Sequence, residues 1–145
     1  MEKPLNPSAE ILLEVPFHDV DMMGVVWHGH YYKYFELART ALFRKFQCDT
    51  NDLLVLGMVL PVIESRCRYL SPLTYGMRVR AQARLVETEF RLGVDYLLSE
   101  VPGGKRLAEG STIQVVVRRA DLRLLFPVPT EIITLFTKDP CAPSA

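Results

Sequence analysis

Long apolar runs are missing from this 145-residue chain. No segment approaches the roughly 20 apolar residues that a membrane-spanning helix needs. The first ten residues hold no apolar stretch of the kind that marks a secretory leader. An excess of one charge sign is also missing: 17 Lys and Arg face 17 Asp and Glu. Nothing in that balance demands nucleic acid or an anionic membrane as partner. Cysteine is scarce and odd in number, at 48, 67 and 141. No two have metal-ligand spacing, so we expect reduced thiols rather than a disulfide framework or a zinc site. Internal repeats and low-complexity tracts are absent as well. Together these absences predict a soluble, cytoplasmic chain of one domain over 1–145, with loose termini at 1–9 and 138–145.

The patterning that remains is informative. Residues 10–17 place Ile11, Leu13, Val15 and Phe17 on one side, as in a strand, with Pro16 near its end. Residues 31–46 carry Tyr31, Phe35, Ala38, Leu42 and Phe46 at helical spacing. Tyr34, Leu37 and Ala41 widen that apolar surface, so the helix is expected to be largely buried, with Lys33, Glu36, Arg39 and Arg44 as its polar exits. Beyond residue 60 the period changes to two. The segments 60–70, 77–88, 90–98 and 107–119 alternate apolar and polar residues, and Pro102-Gly103-Gly104-Lys105 reads as a turn. In the last of these segments Ile113, Val115 and Val117 are expected to share the inner face. Residues 127–136 suggest a short strand or a helical turn. Four such strands imply an antiparallel sheet wet on one side. Ala81 and Ala83 on its inner face would let a helix backbone come close. The result is an α+β layout, a curved antiparallel sheet wrapped around one long central helix.

Chemistry concentrates in 17–39. Asp19, Asp21 and all three histidines (His18, His28 and His30) fall within thirteen residues, just before the helix. A helix start exposes unpaired N–H groups and partial positive charge, which can hold a developing oxyanion. The amides of His28 to Tyr31 are candidates, and Gly29 would admit a substrate carbonyl near the backbone. A carboxylate beside them could attack a carbonyl or activate water. Thioesters suit so sparse a site, because a thiol leaves readily as thiolate without a strong general acid. Each residue also has a plainer reading. Asp21 could cap a turn, Asp19 could bind local backbone amides, and Glu36 and Arg39 could form an ion pair across one helical turn. The Asp and His cluster matches no standard metal pattern.

The run FHDVDMMGVVWHGHYYKYFELAR resembles the signature of the 4-hydroxybenzoyl-CoA thioesterase-like hotdog family, in particular its acyl-CoA thioesterase branch found alongside the bacterial Tol–Pal system. The resemblance rests on Asp19-Val20-Asp21, on Gly24-Val25-Val26-Trp27-His28, on Tyr31, and on Glu36 with Arg39. It implies a hotdog fold and hydrolysis of an acyl thioester. It gives Asp21 the catalytic carboxylate and His28 a polarising amide with an assisting imidazole. Trp27, Gly29, His30, Tyr31, Met22 and Met23 are then the candidate substrate-binding residues, and Arg91 is a candidate contact for coenzyme A phosphates. No cofactor or metal is expected. Coenzyme A, or the phosphopantetheine of an acyl carrier protein, enters as part of the substrate. The resemblance also implies a homodimer or a dimer-of-dimers tetramer. The chain departs from the family's usual residues at Phe17, at Met22-Met23 and at His30. Two other classes stay open: a hotdog hydratase/dehydratase, and a non-catalytic acyl-CoA or acyl-carrier binding module.

Overall fold

A five-stranded antiparallel sheet curves around one helix. The computed structural model describes residues 6–138. Strand β1 (Ser8–Glu14) is followed by a loop with single 3-10 turns at Phe17–Asp19 and His28–His30. The long helix α1 (Tyr31–Lys45) and the short α2 (Thr50–Val55) come next. Strands β2 (Met58–Val59), β3 (Val62–Tyr69), β4 (Arg78–Glu87), β5 (Leu92–Glu100) and β6 (Arg106–Gln114) follow. The described chain closes with β7 (Val116–Arg118), β8 (Leu124–Leu125) and α3 (Thr130–Thr137). The main sheet runs β1-β4-β5-β6-β3, and β2, β7 and β8 form a second small sheet.

The helix and sheet meet as the patterning implies. Tyr31, Tyr34, Phe35, Ala38 and Leu42 of α1 are all buried. Val79, Ala81, Ala83 and Leu85 of β4 face them, and the two alanines leave room for the helix backbone. Phe35 stacks on Tyr96 of β5 with ring centroids 4.7 Å apart. Each large apolar side chain buried here contributes about 1.5–3 kcal/mol. On the outer face Arg80 pairs with Glu10, and Arg68 and Arg106 with Glu109, so the alternating arginines form a solvated surface.

Several expectations are corrected. Ser8 and Ala9 are not a loose end, because they pair with Arg84 and Ala83. The rest of the expected loose termini falls mostly on 1–5 and 139–145, outside the described residues, as does Cys141. Phe17 and Phe90 turn outward rather than continuing their strands' inner faces. Segment 107–119 is not one strand. β6 ends at Gln114, and the chain crosses to the small sheet as β7. Its inner face carries Thr112, Gln114 and Val116, not Ile113, Val115 and Val117. The two polar side chains tolerate burial because each finds a partner. Thr112 Oγ1 lies 2.6 Å from the Tyr96 hydroxyl, and Gln114 Nε2 donates to the Leu60 carbonyl at 2.8 Å. Segment 60–70 forms β3, an edge strand exposed on both faces along most of its length. Residues 130–137 are helical. The helix α2 is capped by Asp49 and Asp52 in reciprocal side-chain to backbone bonds.

Candidate functional site

The loop from Phe17 to His30 is held by backbone bonds that set Asp21 against the start of α1. Val20 and Val26 form an antiparallel bridge. Between them the chain reverses: the Asp21 amide donates to Val25 O at 2.9 Å and the Gly24 amide to Asp21 O at 3.0 Å. Gly24 takes a φ of +82°, where a side chain would be strained. Asp21 Oδ1 accepts the Met23 amide at 2.9 Å. The turn-capping reading of Asp21 is therefore correct locally, and the carboxylate, itself exposed, keeps its second oxygen for other work. Trp27 N donates to Asp19 O at 3.1 Å, and Val26 N to Leu73 O at 2.8 Å, which pins the loop to both its own start and the segment after β3.

Asp19 has a different role from its neighbour two residues on. It is 1% exposed. It binds side chains rather than the local amides expected of it: Lys33 Nζ at Oδ1 and the Tyr34 hydroxyl at Oδ2, the latter at 2.6 Å. His18 Nε2 and His30 Nε2 both stand 3.9 Å from Oδ1. Burial alone pushes this carboxyl upward. The bonds from Lys33 and Tyr34, with the charges of Lys33 and His30, more than offset it and hold the pKa below its ordinary value. Tyr34, buried and bonded to that carboxylate, is pushed well above the ordinary phenol range. Lys33, read in the sequence as a solvated exit, is instead the partner of this buried charge.

Asp21, Met23, Val25, Val26, His28 and Tyr31 line an open groove of about 400 Å³, whose other wall is Tyr69, Leu70, Ser71 and Pro72 at the end of β3. Asp21 and His28 are thus brought together. So is Tyr31, which packs its ring on Tyr69 at 4.7 Å. The amides of His28 and Gly29 open the first turn leading into α1. First-turn amides lack helical acceptors, and neither donates to another loop group among the described residues.

Other expected site residues go elsewhere within the chain. Gly29 is required beside a neighbour: a Cβ there would sit 2.2 Å from the Trp27 ring. Trp27 covers Gly29 and lies edge-on to His30 at 5.3 Å, outside the groove. His30 faces Asp19. Met22 projects into solvent at the tip of the turn. Arg91 pairs with Glu87, Nε to Oε2 at 3.1 Å, beside Leu92. Leu92 and Val62 both oppose Gln114, whereas Tyr69 opposes Ala108. Arg91 therefore lies at the opposite end of the sheet from the groove, about 23 Å along β3. Glu36 and Arg39 form the expected pair at 3.9 Å, and Arg39 also reaches the Tyr96 hydroxyl at 3.3 Å.

Tyr69 was not among the residues that the sequence singled out. Its hydroxyl donates to His28 O at 2.8 Å. No local pattern links positions 41 residues apart. Only an aromatic residue at a strand end, before Ser71-Pro72, could have hinted at it.

The profile of the thioesterase-like superfamily matches residues 15–136. A candidate esterase of Synechocystis is 35% identical over 80 residues, which cover 55% of this chain and 48% of that protein. YneP of Bacillus subtilis, a candidate acyl-CoA thioesterase, is 34% identical over 64 residues, 44% of this chain and 46% of that protein. The matched stretch thus spans about half the length of these curated relatives. Among solved structures, a mutant 4-hydroxybenzoyl-CoA thioesterase complexed with 4-hydroxybenzoyl-CoA superposes with a TM-score of 0.78 at 20% identity. That superposition covers 90% of this chain and 99% of the other, and shows the same hotdog fold.

Proposed function

The chain belongs to the thioesterase-like superfamily, and on that premise we propose that it hydrolyses acyl thioesters at the groove between Asp21 and the start of α1. The observation that carries the reading is the shared lining: an exposed carboxylate, Asp21, and the first-turn residue His28 border the same cavity. A thioester carbonyl oxygen directed at the His28 and Gly29 amides would receive two N–H donors and the positive end of the helix. Its carbon would then stand open to attack from the Asp21 side.

Two routes fit this arrangement. Asp21 takes a proton from water, the resulting hydroxide adds to the carbonyl carbon, and the C–S bond breaks to release a thiolate that is then protonated. Alternatively an Asp21 oxygen adds to the carbon, thiolate leaves, and water hydrolyses the mixed anhydride. Both end in free acid and thiol, and neither needs a metal or cofactor. Met23, Val25, Val26, Tyr31, Leu70 and Pro72 supply apolar walls for the acyl group. The carrier is coenzyme A or the phosphopantetheine of an acyl carrier protein. The test is thiol release from acyl-CoAs running from acetyl to palmitoyl, with benzoyl-CoA, and from the same acyl groups on a carrier protein. Release that depends on Asp21 supports the reading. An enoyl absorbance change without thiol release would point to hydration chemistry, and tight binding without turnover to a carrier-binding module.

A further inference from the structure

We infer that Tyr69 is a positioning residue for the reaction: it fixes and polarises the His28–Gly29 peptide, whose N–H the proposed reaction uses to bind the substrate oxygen. The inference rests on the thioesterase reading above and adds a residue from β3 to it. The Gly29 N–H and the His28 C=O belong to one planar amide. The Tyr69 hydroxyl donates to that carbonyl at 2.8 Å. A hydrogen bond at the oxygen of an amide draws electron density toward it and makes the N–H at the other end a stronger donor. The preceding peptide is treated likewise, since His30 N donates to Trp27 O at 2.9 Å. Both amides that the proposed reaction uses therefore have an occupied carbonyl behind them, one served by the 3-10 turn and one by Tyr69.

The phenol is suited to this role. Although the residue is half exposed, partial desolvation raises its pKa, with Cys67, Tyr32 and Tyr31 adding to the rise, so the hydroxyl keeps its proton near neutral pH. Its ring is held edge-on to Tyr31 at 4.7 Å and to His28 at 6.5 Å, which limits its swing. The bond also ties β3 to the turn that precedes α1, across the groove it lines. A loop carbonyl left without this donor could rotate toward solvent, taking the Gly29 N–H off its line.

Tyr69→Phe tests the inference, because it removes one hydroxyl and keeps the ring. With the acyl-CoA that the parent hydrolyses fastest from the acetyl-to-palmitoyl and benzoyl set, kcat should fall about threefold to tenfold, the size of one lost hydrogen bond. KM should stay within about twofold, and thermal stability should change little. A second readout separates positioning from plain support. In an Asp21→Asn background, which holds the thioester uncleaved, the bound carbonyl stretch should lie below its value in solution, and adding Tyr69→Phe should shrink that lowering. The inference is overturned if Tyr69→Phe keeps kcat within twofold of the parent, if the loss lies in KM, or if the carbonyl stretch does not respond. Thiol release by Asp21→Asn would refute the Asp21 assignment, and it would appear in a variant that keeps Tyr69. Absence of thiol release by the parent from every substrate would refute both.

Discussion

Tyr34 gives its hydroxyl hydrogen to Asp19 Oδ2 across 2.6 Å, inside a protein where Asp19 is the most deeply buried carboxylate among the described residues. With Lys33 on the other oxygen, this bond ties the loop before the site to the first turn of α1. Asp19→Asn removes the charge and leaves both partners with a weaker acceptor. A hydrogen bond to a charged group contributes about 1.5–3 kcal/mol, and we expect a loss of that order in urea unfolding at neutral pH. The pH dependence has a definite sign. The folded pKa of Asp19 is lowered, so in acid the unfolded chain binds more protons. The stabilisation is present above the unfolded value of about 3.9 and is lost as pH falls through the lower folded value. Between neutral pH and about pH 3 the parent should therefore lose more stability than Asp19→Asn. Parallel acid limbs in the two proteins would sink this account.

Asp21→Asn separates catalysis from folding. Asparagine retains an oxygen that can accept the Met23 amide, so the turn should survive. What is lost is the charge that attacks carbon or takes a proton from water, and turnover should fall by about 10²–10⁴, or roughly 3–5.5 kcal/mol of barrier. His28→Ala should cost less, because its backbone amide remains. Thiol release from acyl-CoAs, with circular dichroism as the folding control, decides the matter.

Gly29→Ala should disturb the one tryptophan in the chain. The added methyl group collides with the outer edge of the Trp27 indole, which is half exposed and can swing away. We expect a shift in tryptophan emission, a stability loss of about 1 kcal/mol, and lower turnover as the first-turn amides move. Adding Trp27→Ala should restore much of the turnover. If emission is unchanged, the indole does not rest on Gly29 in solution.

Self-association is expected through the edge of the main sheet. Among the described residues β3 pairs only with β6, and its Val62, Ile63 and Tyr69 are exposed. An eight-residue edge with apolar side chains invites a second strand. Sedimentation at micromolar concentration should give at least twice the 16.5 kDa chain mass. A stable monomer would leave this edge unexplained.

Chelation should leave turnover unchanged. The Asp and His residues of the loop have no recognisable metal spacing, and Asp19 already holds Lys33 and Tyr34. Loss of thiol release with EDTA, restored by one divalent ion, would replace the carboxylate mechanism.

Much of the architecture was legible in the chain because it depends on local periodicity. The helix expected over 31–46 runs from Tyr31 to Lys45, and Ala81 and Ala83 sit under it. The strands at 77–88 and 90–98 could be read because one face of each meets the core, which makes apolar residues recur at every second position. The same rule misread 107–119. There the inward residues Thr112 and Gln114 are polar and are accepted only because Tyr96 and Leu60 stand ready to bond them.

By itself the sequence determined the helix, the sheet, the family signature and the placement of Asp21 and His28 in one short loop. Those properties follow from side-chain type and spacing within a few turns of chain. Tertiary structure alone decided which carboxylate is buried and which is free, although Asp19 and Asp21 are only two residues apart. The 3-10 turn at Phe17–Asp19 points one inward to Lys33 and Tyr34, and the reversal at Gly24 leaves the other at the groove. It also decided that Tyr69 would reach His28. A hydrogen bond between residues 41 apart exists only once the sheet has curved around the helix and brought the end of β3 to the first turn.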